Sequence, residues 1–181
     1  MTSNAHSLPS RELPVLDRLT RPRTLLLATF AVCAGLIAYA LWLQHASHLE
    51  PCPMCILQRY AFVVVGLIAL AAAIHFPGKV GLRLYAVIMA LAAIAGGGVA
   101  ARQTWLQHNP PKIADCGPGL EFMVEEFPLS QALPMIFRGS GDCSKVDWTF
   151  LGLSIAEWAL VCFAGIVVTA IIIWIRAARK P

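Results

Sequence analysis

The chain has 181 residues, of which 58% are hydrophobic and only 13% charged, and its formal net charge is +4. A soluble domain carries about 25% charged residues, so this composition excludes an ordinary soluble protein and indicates a membrane protein. The small positive charge reflects how Lys and Arg are distributed around the membrane spans described below, and it does not indicate nucleic-acid binding.

Four apolar segments interrupt the chain, each close to the roughly 20 residues that cross about 30 Å of hydrocarbon. They cover residues 25–43, 56–76, 82–101 and 151–175. None alternates strictly between apolar and polar residues, which favours helices over a membrane β-barrel. The predicted fold is an all-α integral membrane bundle of four transmembrane helices, a single domain over residues 24–176 between tails at 1–23 and 177–181.

The first segment follows Arg18, Arg21 and Arg23 and therefore has the charge pattern of a signal peptide. Its apolar run exceeds the roughly 7 to 15 residues of a signal-peptide core, and no convincing small-x-small cleavage site precedes Pro51. We predict that this segment stays in the protein as a membrane anchor. The polar, proline-containing tail before it is predicted to be loosely ordered.

A Cys-x-x-Cys motif, Cys52 to Cys55, stands directly before the second segment. Pro53 suits the first position of a helix, because it lacks an N–H group and presets the backbone angle. Cys55 then lies in the first turn, where unpaired N–H groups and the helix dipole favour a reactive thiolate. The next residue is Ile56 and not the His of a haem attachment motif, which excludes covalent haem.

Arg59 follows Cys55 by four residues, so both side chains project from one face of the second helix, with the guanidinium one turn deeper. Two interpretations remain open. In the first, Arg59 is functional, as intramembrane charges often are, and it stabilises the Cys55 thiolate or binds a polar oxygen of a ligand at the membrane edge. Alternatively, it extends to the interface and is solvated there.

Basic residues are concentrated on one side of the predicted bundle. That side comprises the N-terminal tail, the turn between the second and third segments and the C-terminus, and it holds Arg11, Arg18, Arg21, Arg23, Lys79, Arg83, Arg176, Arg179 and Lys180. The loops at 44–55 and 102–150 carry fewer basic residues, and the longer loop has more acidic residues than basic ones. By the positive-inside rule, both termini are cytoplasmic and both loops face outward.

Four of the six cysteines, Cys52, Cys55, Cys116 and Cys143, fall in these outward loops. An outward location permits disulfides, which the cytosol would reduce. Cys116 and Cys143 either form a permanent staple across roughly 27 residues or, since glycines flank both, an exchangeable disulfide open to an incoming thiolate. Structural zinc is disfavoured because these two do not form a second closely spaced pair, and no metal site is predicted.

The chain resembles the DsbB family of disulfide bond formation proteins. The resemblance covers nearly the whole chain after the tail: the four spans, the C-x-x-C motif with Gln58 and Arg59 after it, and Cys116. Its most specific part is Gly-Ser-Gly-Asp-Cys at 139–143, continuing to Trp-Thr-Phe-Leu-Gly-Leu at 148–153.

The resemblance implies a protein-dithiol:quinone oxidoreductase of the bacterial inner membrane that reoxidises a DsbA-like, thioredoxin-like periplasmic oxidase and so supports disulfide formation there. The partner would reduce the Cys116/Cys143 disulfide, Cys143 would exchange with the Cys52/Cys55 pair, and Cys55 would pass the electrons to a membrane quinone, either ubiquinone or menaquinone.

The resemblance also implies a quinone site. In the family the counterpart of Arg59 assists the quinone, which favours a functional role for this arginine. Some members carry a quinone-pocket histidine at the outer end of the third span. Counting back from Cys116 without gaps places that position at Gln103, a departure from the pattern, whereas a shifted alignment places it at His108.

Two other functions stay open. The first alternative is a specialised paralogue or reductive thiol carrier with a dedicated partner. The second is a non-catalytic membrane scaffold stapled by two disulfides. The direction and partner specificity of electron flow separate the first from the quinone-linked oxidase. For the scaffold, Cys52→Ser or Cys116→Ser should impair stability and leave cellular disulfide formation intact.

Overall fold

The computed structural model describes residues 21–46, 52–110, 128, 141–144, 146 and 148–179. The elements are, in chain order, helices α1 (Pro22–Ala46), α2 (Pro53–His75) and α3 (Lys79–His108), a single helical turn α4 (Gly141–Ser144), strands β1 (Thr149–Phe150) and β2 (Leu153–Ser154), and helix α5 (Ile155–Arg179). Helices α1, α2, α3 and α5 are long and apolar enough to cross a membrane. The prediction of an all-helical fold with four spans is confirmed.

The four long helices form a bundle in which α3 makes its most extensive interface with α5, and α2 packs against both α1 and α3. Small residues allow this close packing: Ala69 on α2 and Ala93 on α3 are fully buried. The rings of Phe62 and Phe163 stack with their centroids 4.1 Å apart. Because lipid tails are as apolar as these side chains, such van der Waals packing is the main force holding the helices together.

The turn between α2 and α3 is set by local backbone chemistry. Phe76 ends α2 in the left-handed region, with φ 35°, and its N–H donates to the Ala72 carbonyl oxygen at 2.9 Å. Pro77 follows and cannot continue the helix, because it has no N–H to donate. The short turn makes α2 and α3 antiparallel neighbours, so the C-terminal end of α3 returns to the level at which α2 begins.

Helix α3 continues to His108, beyond the predicted span end at residue 101. The added turns are polar, but they bury Gln103 and Leu106, whose exposed fractions are 3% and 5%. Tertiary contacts therefore hold a helix where hydropathy alone indicated a loop.

Helix α5 begins at Ile155, four residues after the predicted start of the last span. The residues before it form a hairpin in which Thr149 pairs with Ser154. The two turn residues, Leu151 and Gly152, both have positive φ, at 52° and 81°, as a two-residue hairpin turn of type I′ requires. This turn chemistry overrides the apolar character of the segment.

A capping box then starts α5. The hydroxyl of Ser154 accepts a hydrogen bond from the Glu157 N–H at 3.3 Å, and the Ser154 N–H donates to a Glu157 carboxylate oxygen at 2.7 Å. These reciprocal bonds satisfy two backbone donors that the helix itself leaves unpaired. Ser154 also donates to the Gln107 side-chain oxygen at 2.8 Å, which ties the start of α5 to the end of α3.

Candidate redox site

The C-x-x-C motif forms the N-terminus of α2. Cys52 is the N-cap in an extended conformation, and its sulfur accepts a hydrogen bond from the Cys55 N–H at 3.4 Å. Pro53 occupies the first turn, as the sequence predicts. The two sulfur atoms are 3.1 Å apart. At this helix start the backbone N–H of Cys55 therefore bonds the Cys52 sulfur, while the Cys55 sulfur accepts a hydrogen bond from the Cys52 thiol.

Cys143, on the short helix α4, lies against this motif. It is fully buried in a small apolar cluster with Cys52, Met54 and Leu106. The pKa of the Cys52 thiol is raised, most strongly by its hydrogen bond to Cys143, next by its hydrogen bond to Cys55, and then by burial. The structure thus gathers three of the four predicted redox cysteines, from segments about 90 positions apart in the chain. Cys116 lies outside the described residues.

A pair of buried glutamines completes the site. The Gln103 side-chain N–H group reaches the Cys55 sulfur at 3.2 Å and the Cys52 sulfur at 3.4 Å. Its oxygen accepts a hydrogen bond from the Gln58 side chain at 2.7 Å. Both amides are almost fully buried, with exposed fractions of 3% and 4%. We call the group of Cys52, Cys55, Gln58, Gln103 and Cys143 the cysteine end of the bundle.

Arg59 is half-buried one turn along α2 from Cys55 and faces α1. Its guanidinium donates to the Gln44 side-chain oxygen at 2.6 Å and to the Ala40 carbonyl oxygen at 3.3 Å. Two hydrogen bonds fix the plane of the guanidinium at the boundary between two helices. The side chain is therefore anchored within the protein.

His108 lies away from the sulfur atoms. Its side chain is 65% exposed, with one ring nitrogen 2.9 Å from the Thr104 carbonyl oxygen and the other 3.7 Å from a Glu157 carboxylate oxygen. Of the two positions predicted for the family's histidine, the structure brings Gln103 to the cysteines and leaves His108 on the surface.

Sequence reasoning assigned no role to Gln58 or Gln44, which the structure connects to the site. Gln58 carried a readable signal, since it is a polar residue in an apolar span, three positions after Cys55 and thus on a neighbouring face. Gln44 carried none, because a glutamine at the end of a span is ordinary, and its pairing with Arg59 depends on how α1 packs against α2.

Residues 22–173 match the protein family described as "Disulfide bond formation protein DsbB". The chain belongs to the DsbB family. It is 62% identical over 154 residues to "Disulfide bond formation protein B" of Aromatoleum aromaticum, covering 85% of this chain and 93% of that protein.

Other DsbB relatives agree over a similar extent. The protein of the same name from an Azoarcus species is 58% identical over 158 residues, 87% of this chain and 94% of the relative. That of Methylococcus capsulatus is 46% identical over 158 residues, 87% of this chain and 96% of the relative. The predicted membership in the DsbB family is confirmed, and the family implies a disulfide-forming oxidoreductase activity. The four long apolar helices and the family together indicate a multi-pass membrane protein.

Proposed function

We propose that the protein is a thiol:quinone oxidoreductase of the bacterial inner membrane that reoxidises a DsbA-type dithiol oxidase through loops facing the periplasm. The observation that carries the proposal is the meeting of Cys52, Cys55 and Cys143 at the N-terminus of α2. Three thiols in contact allow a disulfide to move between pairs by exchange, without long-range movement of the bundle.

The steps at Cys116 are those that the family resemblance implies, and the step between Cys143 and Cys52 follows from the contact of their sulfur atoms. A partner thiolate attacks Cys116 of the Cys116–Cys143 disulfide, and Cys143 leaves as a thiolate. The second partner thiol displaces Cys116, which releases the partner as a disulfide. Because Cys143 contacts Cys52, it attacks that sulfur of the Cys52–Cys55 disulfide and expels Cys55. Re-forming the Cys116–Cys143 bond leaves Cys52 and Cys55 as a dithiol, two electrons richer.

The residues beside Cys55 fit a quinone. Arg59 uses two of its five N–H donors on Gln44 and Ala40 within the described part of the chain, and the planar fork has further donors for a carbonyl oxygen. Gln103, beside the two sulfur atoms, is the second residue we assign to this site. A bound ubiquinone or menaquinone would supply the acceptor for two electrons and two protons. Both quinones present carbonyl oxygens, so these donors suit either one.

The test is anaerobic mixing of the purified protein, a quinone and reduced DsbA-type partner, with quinone absorbance followed over time. Quinone reduction by the intact protein is expected, together with loss to the protein-free rate in Cys55→Ser. Cys162→Ala is the matched control, since Cys162 packs against the apolar core of the bundle, and it should turn over normally. No reduction by the intact protein, or full reduction by Cys55→Ser, contradicts the proposal.

A further inference from the structure

We propose that Gln58 is a positioning residue that holds the Gln103 carboxamide with its NH₂ group toward the sulfur atoms of Cys52 and Cys55. The proposal deepens the function proposed above and rests on it for its biological meaning. Its physical content concerns the reactivity of Cys55 alone, which is measurable without quinone or partner.

The neighbours of the Gln103 amide decide which of its ends faces the sulfur atoms. A carboxamide has a donor end and an acceptor end of nearly the same shape, so its surroundings decide which end faces where. Gln58 donates to the Gln103 oxygen at 2.7 Å. Turning Gln103 over while Gln58 keeps its orientation would set two NH₂ groups against each other in a buried site, and a buried donor without an acceptor costs about 1 to 3 kcal/mol. Turning both amides over would instead place the Gln103 oxygen where its nitrogen now lies beside the Cys55 sulfur, which repels a thiolate.

The held orientation serves Cys55 in both of its protonation states. The Gln103 nitrogen lies 3.2 Å from the Cys55 sulfur, where it donates to a thiolate. The Gln103 oxygen lies 3.7 Å from the same sulfur, close enough to accept from a thiol. A carboxamide does not titrate in the ordinary pH range, so this support is the same at every pH at which Cys55 reacts.

Burial makes the arrangement consequential. Gln58 and Gln103 come from different helices, α2 and α3, and water reaches neither side chain appreciably. In such a site a hydrogen bond to a charged group is stronger than in water, and losing one is correspondingly costly. Removing Gln58 therefore acts on the Cys55 thiolate indirectly, because the hydrogen bond that is lost is the one from Gln58 to the Gln103 amide.

The experiment measures how fast iodoacetamide alkylates Cys55 as a function of pH, in the full-length, fully reduced protein in detergent. The variants are Gln58→Met, Gln103→Met and the double variant, because methionine keeps the length of glutamine without its amide. Gln58→Met should raise the midpoint of the labelling profile by about one pH unit. At pH values below the midpoint, labelling is then about tenfold slower. Gln103→Met should do at least as much, and the double variant should equal it.

The matched control is Gln107→Met, one turn further along α3, whose amide bonds Ser154 and none of the cysteines that the structure describes. Its labelling profile should be that of the parent protein. A second measurement is the equilibrium of the Cys52–Cys55 pair with dithiothreitol. Losing thiolate stabilisation should shift it about tenfold toward the disulfide, equivalent to about 30 mV. Gln58→Leu replaces Gln58→Met if the latter does not fold.

Two outcomes overturn the proposal. One is an unchanged labelling profile in Gln58→Met while Gln103→Met is slowed. The other is additive effects in the double variant, which would mean that Gln58 acts independently of Gln103. Failure of quinone reduction with these labelling results intact would instead contradict only the function proposed above.

Discussion

In the middle of the bundle α2, α3 and α5 meet through apolar groups, with Gly96 beneath the ring of Phe163, whereas the cysteine end brings three thiols and two amides into contact. The middle is held by close packing, which any polar group would weaken. At the cysteine end each buried amide has a hydrogen-bond partner, which is the condition for burying polar groups at low cost. Substitutions in the middle should therefore change stability, and those at the cysteine end should mainly change reactivity.

The largest expected effect is at Cys143. Cys143→Ala removes the sulfur that contacts Cys52, so electrons from the partner have no route to the α2 pair. Quinone reduction driven by reduced partner should fall to the protein-free rate, a loss of more than about a hundredfold. Thermal unfolding in detergent is the control, and it should change little compared with turnover. Normal turnover with a large loss of stability would favour the disulfide-stapled scaffold instead.

Within the cysteine end, the two thiols of α2 should differ in reactivity. The raised pKa of Cys52 keeps its proton on at neutral pH, whereas the Cys55 sulfur accepts from both the Cys52 thiol and the Gln103 amide, which favours its thiolate. Alkylation of the reduced protein at pH 7, read by peptide mass spectrometry, should therefore modify Cys55 at least about tenfold faster than Cys52.

Raising the pH tests the same difference. Cys55 labelling should reach a plateau, while Cys52 labelling continues to rise, because a raised pKa delays the loss of its proton to higher pH. Equal rates with one shared pH profile would show that the two sulfur atoms are not differentiated.

In the middle of the bundle, Gly96→Ala should destabilise the protein. A methyl group at this position would lie 2.5 Å from the Phe163 ring and 2.7 Å from the Ala61 side chain, so one helix must shift. Overpacking of this kind costs about 1 to 3 kcal/mol, visible as a lower melting temperature. Gly98→Ala is the matched control, since no atom of the described residues lies within 4 Å of an added methyl there. A melting temperature equal to that of the control would contradict this view of the packing.

The smallest expected effect is at the start of α5. Ser154→Ala removes the capping hydroxyl and should cost about 1 kcal/mol of stability. Thr169→Ala, which removes a hydroxyl bonded only to the Gly165 carbonyl oxygen of the same helix among the contacts described, should cost less. Melting curves of both variants measure the difference, and equal values would mean that the capping box does not stabilise this boundary.

The sequence predicted the helices better than their ends. Hydropathy located all four spans, but it ended the third span at residue 101 and began the fourth at 151. The polar turns of α3 are helical because Gln103 and Leu106 are buried against neighbours, which no local pattern reports. The hairpin before α5 depends on positive φ at Leu151 and Gly152, and only the glycine of that pair announces it.

The candidate site was predictable in part. The C-x-x-C spacing with Pro53 is a local property, and it correctly placed Cys55 in the first turn of α2. The distance in sequence between Cys52 and Cys143 allowed no prediction that they touch, beyond what the family resemblance implied. Which of Gln103 and His108 lies beside the cysteines depended on which face of α3 points toward α2, and the structure turns Gln103 inward.

By itself, then, the amino-acid order determined that four apolar helices form and that a C-x-x-C motif begins the second one, because hydrophobic length and helix capping act over a few neighbouring residues. Tertiary structure alone decided that Gln58 would hold Gln103 and that Gln44 would anchor Arg59. These contacts join different helices, and their existence depends on the rotation and depth of each helix in the bundle, which packing sets.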